Sequence, residues 1–149
     1  MSLASKYIAW ANLAQEAFQN ESKPHLLVVD DDLAIRAILQ NILRKDFRIT
    51  TAGSGYEALA WLANGNRPDL IVSDITMPGI NGFGLLKALS QSGLYNSIPV
   101  VVLSGHCKEE VSAQAMIYNN LKACLSKPFD PVLLKAKINT VLDEELQVC

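Results

Sequence analysis

Short apolar runs alternate with segments of helical period along most of this chain, and this alternation restricts the fold more than any other feature of the sequence. Three runs are continuous and of strand length, at residues 26–29, 70–72 and 100–103. Continuous runs of this kind are typical of parallel strands that are buried on both faces. The pattern therefore predicts βαβ units and an α/β fold, with helices covering both faces of a parallel sheet.

Two weaker strands and five helices complete the predicted pattern. We place the weaker strands at residues 47–52 and 123–125, and the helices at 33–44, 56–64, 83–94, 107–119 and 130–146. In the last helix, Leu134, Ile138 and Val141 recur at helical spacing, so this helix should pack on the sheet.

A further helix is predicted before the repeating pattern, at residues 4–18. Its apolar stripe comprises Tyr7, Trp10, Ala11, Ala14 and Phe18, and a polar, turn-prone segment follows it at 19–24. The stripe favours an extra helix that packs on the domain or on a second copy of the chain. A linker from an upstream sensor or kinase module is the alternative.

Charge, hydropathy and cysteine spacing exclude several classes of protein. The 149 residues carry a formal net charge of −2 from interspersed acids and bases, so the chain offers no basic stripe for direct nucleic-acid binding. No apolar run approaches the roughly 18 residues of a membrane span, and we expect a cytoplasmic protein. Cys107, Cys124 and Cys149 match no zinc or redox motif, which predicts free thiols in a reducing compartment.

Acidic residues follow two of the predicted central strands. Asp30, Asp31 and Asp32 come directly after the strand at 26–29, and Asp74 follows the next central strand. Ligands of open parallel sheets bind beyond the carboxyl ends of the strands, so these acids should share one pocket. Two carboxylates 4 Å apart repel by about 4 kcal/mol at an effective dielectric constant of about 20, so a cation must compensate them. With no His or Cys nearby, the oxygen ligands favour Mg²⁺ over Zn²⁺.

Polar residues also end the two remaining core strands. Ser104 closes the fourth strand and Lys127 follows the fifth. Because Pro128 biases Lys127 toward extended geometry, the ammonium group can project over the same edge of the sheet. Asp32 has a structural alternative, since Asp is a favoured N-cap for a helix that starts near Leu33.

Taken together, these positions resemble the receiver domain of bacterial response regulators. The motifs are Leu-Val-Val-Asp-Asp at 27–31, Ser-Asp-Ile-Thr-Met-Pro-Gly at 73–79 with Asn81-Gly82, Leu-Ser-Gly at 103–105 and Lys-Pro-Phe at 127–129. The resemblance covers about residues 25–146 and implies a doubly wound, flavodoxin-like sheet of five strands in the order 2-1-3-4-5. It also implies that residues 1–24 are a helical extension and linker, and that residues 25–149 form the receiver domain.

The resemblance further implies roles for individual residues. The residues that hold Mg²⁺ would be Asp31, Asp74 and the backbone carbonyl of Thr76, with Asp30 acting on the metal largely through water. The phosphoacceptor would be Asp74, with Lys127 and Ser104 in contact with the phosphoryl group. The donor would be the phosphohistidine of a sensor histidine kinase or phosphotransfer protein, and the output a change in self-association or in binding to a downstream protein. Such a domain catalyses only its own phosphorylation and dephosphorylation.

Two residues depart from the family's pattern. Cys124 stands three residues before Lys127, where the family usually has a Tyr or Phe that moves together with the residue at the position of Ser104. Asn120 stands where Gly is common, a milder change because Asn tolerates left-handed geometry.

Two other functions are compatible with a strand-end aspartate. Phosphatases of the haloacid dehalogenase type also use one with Mg²⁺, but they need a second Asp two residues on, where this chain has Thr76. A receiver-like interaction module that does not depend on phosphate is favoured by Cys124. The intact Asp74, Asp31 and Lys127 oppose that second alternative.

Overall fold

Five parallel strands form one sheet. In this computed structural model, which describes residues 2–107 and 117–147, the strands are β1 His25–Val29, β2 Arg48–Ala52, β3 Leu70–Asp74, β4 Val100–Ser104 and β5 Leu121–Ser126. Their order across the sheet is β2-β1-β3-β4-β5, and every neighbouring pair is parallel. The predicted α/β class and the doubly wound strand order are confirmed.

Five helices lie within the described part of the chain. They are α1 Leu3–Ser22, α2 Leu33–Leu43, α3 Gly55–Ala63, α4 Gly82–Ser90 and α5 Pro131–Gln147. Helix α4 ends four residues earlier than predicted, because turns occupy the segment around Gly93. The helix predicted at 107–119 falls largely outside the described residues.

The core consists of two apolar clusters, one on each face of the sheet. Leu27 and Val29 of β1 enter the cluster that contains the buried residues of α3 and α4. Leu26 and Val28 enter the other cluster, with buried residues of α2 and α5. Successive side chains of a strand point to opposite faces, so a continuous apolar strand fills both clusters at once. This packing holds the carboxyl ends of β1, β3 and β4 at one edge.

Helix α1 does not pack on the domain with its apolar stripe. None of its 20 residues is buried, and Trp10 and Phe18 keep 69% and 73% of their surface exposed. The prediction of a packed extra helix is therefore wrong for contacts within the described part of the chain, because the stripe stays exposed there. Packing on a second copy and a linker role both stay predictions. Among the described residues, no helix is long and apolar enough to cross a membrane.

The prediction of free thiols is wrong for two of the three cysteines. Cys107 and Cys124 are joined by a disulfide bond, with their Cα atoms 5.8 Å apart. They are 17 residues apart in the sequence, and only the pairing of β4 with β5 brings them together. Spacing along the chain carries no sign of such a contact. Cys149 lies outside the described residues.

The second departure from the family's pattern, Asn120, uses no special backbone geometry. It is buried just before β5, and no described residue other than glycine has a positive φ. The tolerance of Asn for left-handed geometry is therefore not used at this position.

Candidate metal centre

Three carboxylates converge at the carboxyl edge of the sheet. Strands β1 and β3 are neighbours in which Val29 pairs with Ser73, so Asp30 and Asp74 follow at adjacent positions. Carboxylate oxygens of Asp30, Asp31 and Asp74 all lie within 4.8 Å of one another. The fold thus produces the predicted convergence of acids from two separate strands.

The three acids differ in exposure. Asp30 and Asp74 keep only 1% and 7% of their surface exposed, whereas Asp31 is exposed. Burial raises the pKa of the Asp30 carboxyl above its ordinary value, although the backbone N–H of Asp32 and the charge of Lys127 partly oppose this effect. Negative charge at this edge is therefore costly, and a cation would relieve that cost.

Lys127 supplies one positive charge to the cluster. Its Nζ lies 2.9 Å from Oδ1 of Asp74 and 3.4 Å from Oδ2 of Asp30. Burial alone would lower the pKa of this ammonium group, but its hydrogen bond to Asp74 and the charges of both acids outweigh burial and raise it. Lys127 is therefore held in its charged form.

The backbone fixes the position of Lys127. Its backbone N–H donates a hydrogen bond to the carbonyl oxygen of Ser104 at 2.8 Å, which ties the end of β5 to the end of β4. The peptide bond to Pro128 is cis. The lysine side chain therefore starts from the edge of the sheet where the acids lie.

Ser104 and Thr76 lie at the same edge of the sheet as the carboxylate cluster. Ser104 is buried at the end of β4, and its hydroxyl accepts a hydrogen bond from the backbone N–H of His106 at 2.9 Å. Its neighbour Leu103 pairs with Asp74 in the sheet. Thr76 is exposed in the loop that follows Asp74.

Asp32 is a helix cap, as the sequence allowed. Its carboxylate accepts hydrogen bonds from the backbone N–H groups of Ala34 at 2.8 Å and Ile35 at 3.3 Å. Two of the donors left free at the start of α2 are thereby satisfied. Asp30 instead accepts from the backbone N–H of Asp32 at 2.9 Å, which orients its carboxylate toward the cluster.

Two residues that support the site were given no role by sequence reasoning. A Cβ at Gly82 would lie 2.5 Å from the carbonyl oxygen of Asp74 and 2.9 Å from Cα of Ile75, so only glycine fits at the start of α4. Arg36 donates a hydrogen bond from Nη1 to the carbonyl oxygen of Asp30 at 2.6 Å. The Asn81-Gly82 motif could have indicated the role of the glycine. Apart from its position one turn into α2, nothing in the sequence indicated the contact of Arg36 with Asp30.

The donor chemistry of the cluster fits a hard divalent cation. All three side chains offer carboxylate oxygens, which Mg²⁺ prefers. The open position of Asp31 leaves room for the waters that Mg²⁺ normally keeps. The arrangement can hold such an ion beside Asp74 while Lys127 approaches the same carboxylate.

Comparisons with known proteins agree with this geometry. Residues 26–139 match the family described as response regulator receiver domain. The two-component response regulator ORR5 of Oryza sativa subsp. japonica is 36% identical over 113 residues, which cover 75% of this chain and 78% of that protein. The 3',5'-cyclic-nucleotide phosphodiesterase regA of Dictyostelium discoideum is 37% identical over 123 residues, but these cover 81% of this chain and only 16% of the phosphodiesterase.

A solved structure shows the same arrangement of strands and helices. The structure of the Vibrio cholerae chemotaxis protein CheY4 matches with a TM-score of 0.74 and 30% identity. The match covers 80% of this chain and 99% of the chemotaxis protein. Nearly the whole of that protein therefore corresponds to about four fifths of this chain.

Proposed function

Because this chain belongs to the response regulator receiver domain family, we propose that Asp74 accepts a phosphoryl group from the phosphohistidine of a sensor histidine kinase or phosphotransfer protein. The observation that carries this proposal is the position of Asp74, next to two further carboxylates and 2.9 Å from an ammonium group. A carboxylate can attack phosphorus when positive charges neutralise the transferring group. Lys127 supplies one such charge next to Asp74.

The transfer exchanges one bond to phosphorus for another. A carboxylate oxygen of Asp74 forms a bond to phosphorus as the bond from phosphorus to the histidine nitrogen breaks. Lys127 stabilises the charge on the phosphoryl oxygens and remains an ion pair with the product. Asp30, Asp31, Asp74 and the carbonyl of Thr76 would hold Mg²⁺, which supplies further neutralisation of the phosphoryl oxygens when it is bound.

Phosphorylation would then act through Ser104. The modification adds about −1.5 to −2 charges and three strong acceptor oxygens at Asp74. The Ser104 hydroxyl, which now accepts from the backbone of His106, can turn to donate to one of these oxygens. Movement of the loop that follows Ser104 would change the surface offered to a downstream protein or to a second copy of the chain.

The proposal includes the bounds of the domain, its location in the cell and its type of partner. Residues 25–149 form the receiver and residues 1–24 form its extension and linker. The domain works in the cytoplasm through protein contacts, without direct binding to nucleic acid or membrane. Its chemistry is limited to gaining and losing its own phosphoryl group.

The test is an NMR titration with Mg²⁺ and beryllofluoride, which imitates a bound phosphoryl group. We expect amide signals around Asp74, Ser104 and Lys127 to shift. Asp74→Asn should abolish the shift, and Asp31→Asn should demand much more Mg²⁺. Asp32→Asn is the matched control, because it removes a neighbouring charge but keeps a capping side chain, and it should respond like the wild type. An unchanged wild-type spectrum would instead fit the phosphate-independent interaction module.

A further inference from the structure

A disulfide bond crosslinks two elements beside the phosphoacceptor site. Cys107 lies just after β4 and Cys124 lies within β5, where it pairs with Val102. The Cα separation of 5.8 Å falls in the ordinary range for a disulfide, so the bond needs no backbone movement. It fastens the loop that leaves β4 to the neighbouring strand.

Each cysteine of the disulfide lies three positions along the chain from a residue of the phosphoacceptor site. Ser104 precedes Cys107 by three residues, and Lys127 follows Cys124 by three. The backbone N–H of Lys127 donates to the carbonyl oxygen of Ser104 at 2.8 Å, and the sulfur of Cys107 lies 3.9 Å from that same oxygen. The crosslink therefore closes a small ring of chain that contains Ser104.

We propose that Cys107 and Cys124 form a site of reversible thiol oxidation, whose disulfide restrains the loop that follows Ser104, at residues 105–107, and thereby weakens the response to phosphorylation. This inference rests on the proposed phosphoacceptor function of Asp74. In the oxidised form, residues 104–107 are held to β5 at both ends, so the hydroxyl of Ser104 cannot turn toward a phosphoryl group by moving its loop. Reduction removes the tie at Cys107, while the pairing of Ser104 with Ser126 and the hydrogen bond from Lys127 to Ser104 remain.

Several observations indicate a reversible bond rather than a structural one. The sheet already has an apolar cluster on each face, and a domain of this size buries enough surface to fold without a crosslink. Cys107 and Cys124 are both partly exposed, so small thiols can approach the bond. Cytoplasmic disulfides are usually transient or redox-sensing, and the exposed ones are the labile ones.

The oxidant that balances the reaction is a low-molecular-weight disulfide such as glutathione disulfide. One cysteine thiolate attacks a sulfur of the small disulfide, forms a mixed disulfide and releases one glutathione thiolate. The second cysteine thiolate then attacks the protein sulfur of the mixed disulfide and releases the second glutathione. Two protein thiols are oxidised, one disulfide is reduced to two thiols, and reduced glutathione in excess reverses both steps.

The first arm of the test counts thiols and does not depend on phosphorylation. Full-length protein is equilibrated with glutathione disulfide or with excess reduced glutathione, alkylated with a maleimide and weighed by mass spectrometry. Of the three cysteines, we expect all to be alkylated after reduction. After oxidation, Cys107 and Cys124 should be linked to each other and carry neither maleimide nor glutathione, whereas Cys149 should carry one or the other. Cys107→Ser should keep Cys124 as a stable glutathione adduct. Separate glutathione adducts on Cys107 and Cys124 of the wild type, or free thiols at both residues after oxidation, would overturn the site.

The second arm measures coupling to the phosphoacceptor site. The affinity for beryllofluoride with Mg²⁺ is compared between the reduced and oxidised wild type and in the double variant Cys107→Ser, Cys124→Ser. We expect the oxidised form to bind about tenfold more weakly, within the ordinary range for coupling between two sites. The double variant should behave like the reduced wild type under both conditions.

The outcomes of the second arm separate the two proposals. Equal affinity in the reduced and oxidised wild type would overturn the coupling and leave the function of Asp74 in place. A reduced wild type that does not respond would overturn the phosphoacceptor function itself, and the coupling with it. A double variant that still distinguishes the two conditions would show that another group carries the redox effect.

Discussion

The ammonium nitrogen of Lys127 lies 2.9 Å from Oδ1 of Asp74. The two residues come from opposite sides of β4, and they meet because the order β3-β4-β5 brings three strand ends to one edge. This ion pair places a fixed positive charge where a phosphoryl group bound to Asp74 would carry negative charge. The proposed chemistry depends on this pair more than on any other contact of the site.

Replacement of Lys127 tests that dependence. With Lys127→Gln we expect phosphorylation by acetyl phosphate to slow by about 10²- to 10³-fold, the usual effect of removing one donor that stabilises charge in a transition state. Lys127→Arg should retain part of the rate because it keeps the charge. The rates are measured from the phosphorylated fraction on a phosphate-binding gel.

Lys122, on the strand that precedes Lys127, provides a matched control. It forms a surface ion pair with Glu145 at 3.6 Å, away from the carboxylates of the site. Lys122→Gln should therefore phosphorylate at the wild-type rate. If Lys127→Gln also does so, the ammonium group has no part in the transfer.

Gly82 supports the phosphoacceptor through its lack of a side chain. In Gly82→Ala the new Cβ would meet backbone atoms of Asp74 and Ile75 at 2.5 Å and 2.9 Å, so the loop must shift. We expect the free energy of unfolding to fall by about 1–3 kcal/mol, as is usual for overpacking. In a domain of this size, each kcal/mol lowers Tm by about 2–4 °C. Calorimetry of the variant measures the loss.

Gly93→Ala is the control for this substitution. A Cβ at Gly93 meets no atom within 4 Å, and the residue does not have a positive φ. Its Tm should therefore stay close to that of the wild type or rise slightly. Equal stability of the two alanine variants would contradict the close approach at Gly82.

The sequence was sufficient to predict the sheet and to predict which residues lie at its carboxyl edge. Continuous apolar runs such as Leu26–Val29 indicate strands buried on both faces, and polar residues such as Asp74 mark where those strands end. Contacts that depend on how neighbouring elements pack are not marked by any such pattern in the sequence. The disulfide between Cys107 and Cys124 arises from the pairing of β4 with β5, and the contact of Gly82 arises from where α4 begins.

The apolar stripe of α1 shows the limit of periodicity as an indicator. Residues such as Trp10 and Phe18 correctly predict a helix, since they recur at helical spacing. Periodicity indicates an apolar face but not the surface that covers it, and none of the residues that the structure describes buries this face. The exposure of α1 could be learned only from the folded chain.

Stability at mildly acidic pH should depend on His25. Arg48 donates a hydrogen bond to Nδ1 of His25, so Nε2 carries the proton and donates to the hydroxyl of Thr50 at 2.7 Å. Burial lowers the pKa of the imidazole below its ordinary value, and the charge of Arg48 lowers it further against the opposing charge of Asp69. The unfolded chain, with a pKa of about 6.5, takes up a proton before the folded chain does.

Because the unfolded chain is protonated first, a fall in pH favours unfolding. The free energy of unfolding falls as pH drops from about 6.5 toward the lower pKa of the folded state, and it becomes independent of His25 below that value. His25→Gln removes the titration, so its Tm should fall less than that of the wild type between about pH 8 and pH 5, the interval in which His titrates. The same fall in both proteins would contradict the lowered pKa.

Removal of α1 should leave the rest of the fold intact. A chain that starts at Lys23 loses no buried residue of α1, so its Tm should lie within a few degrees of the wild-type value. Removal of α5 provides the contrast, because Leu134 and Ile138 are fully buried there, and that truncated chain should not fold. A large loss of stability without α1 would show that it belongs to the domain. Both truncations are compared by thermal unfolding.

The most direct test of the central claim is to incubate the full-length protein with acetyl phosphate and Mg²⁺ and to weigh it by mass spectrometry. We predict a gain of one phosphoryl group, located at Asp74 by reductive trapping and peptide mapping, and no gain when Mg²⁺ is chelated before acetyl phosphate is added. Asp74→Asn should gain none, whereas Asp46→Asn, which alters an exposed surface ion pair with Lys135, should gain the group as the wild type does. A wild-type mass that does not change, or equal labelling of Asp74→Asn, would contradict the account.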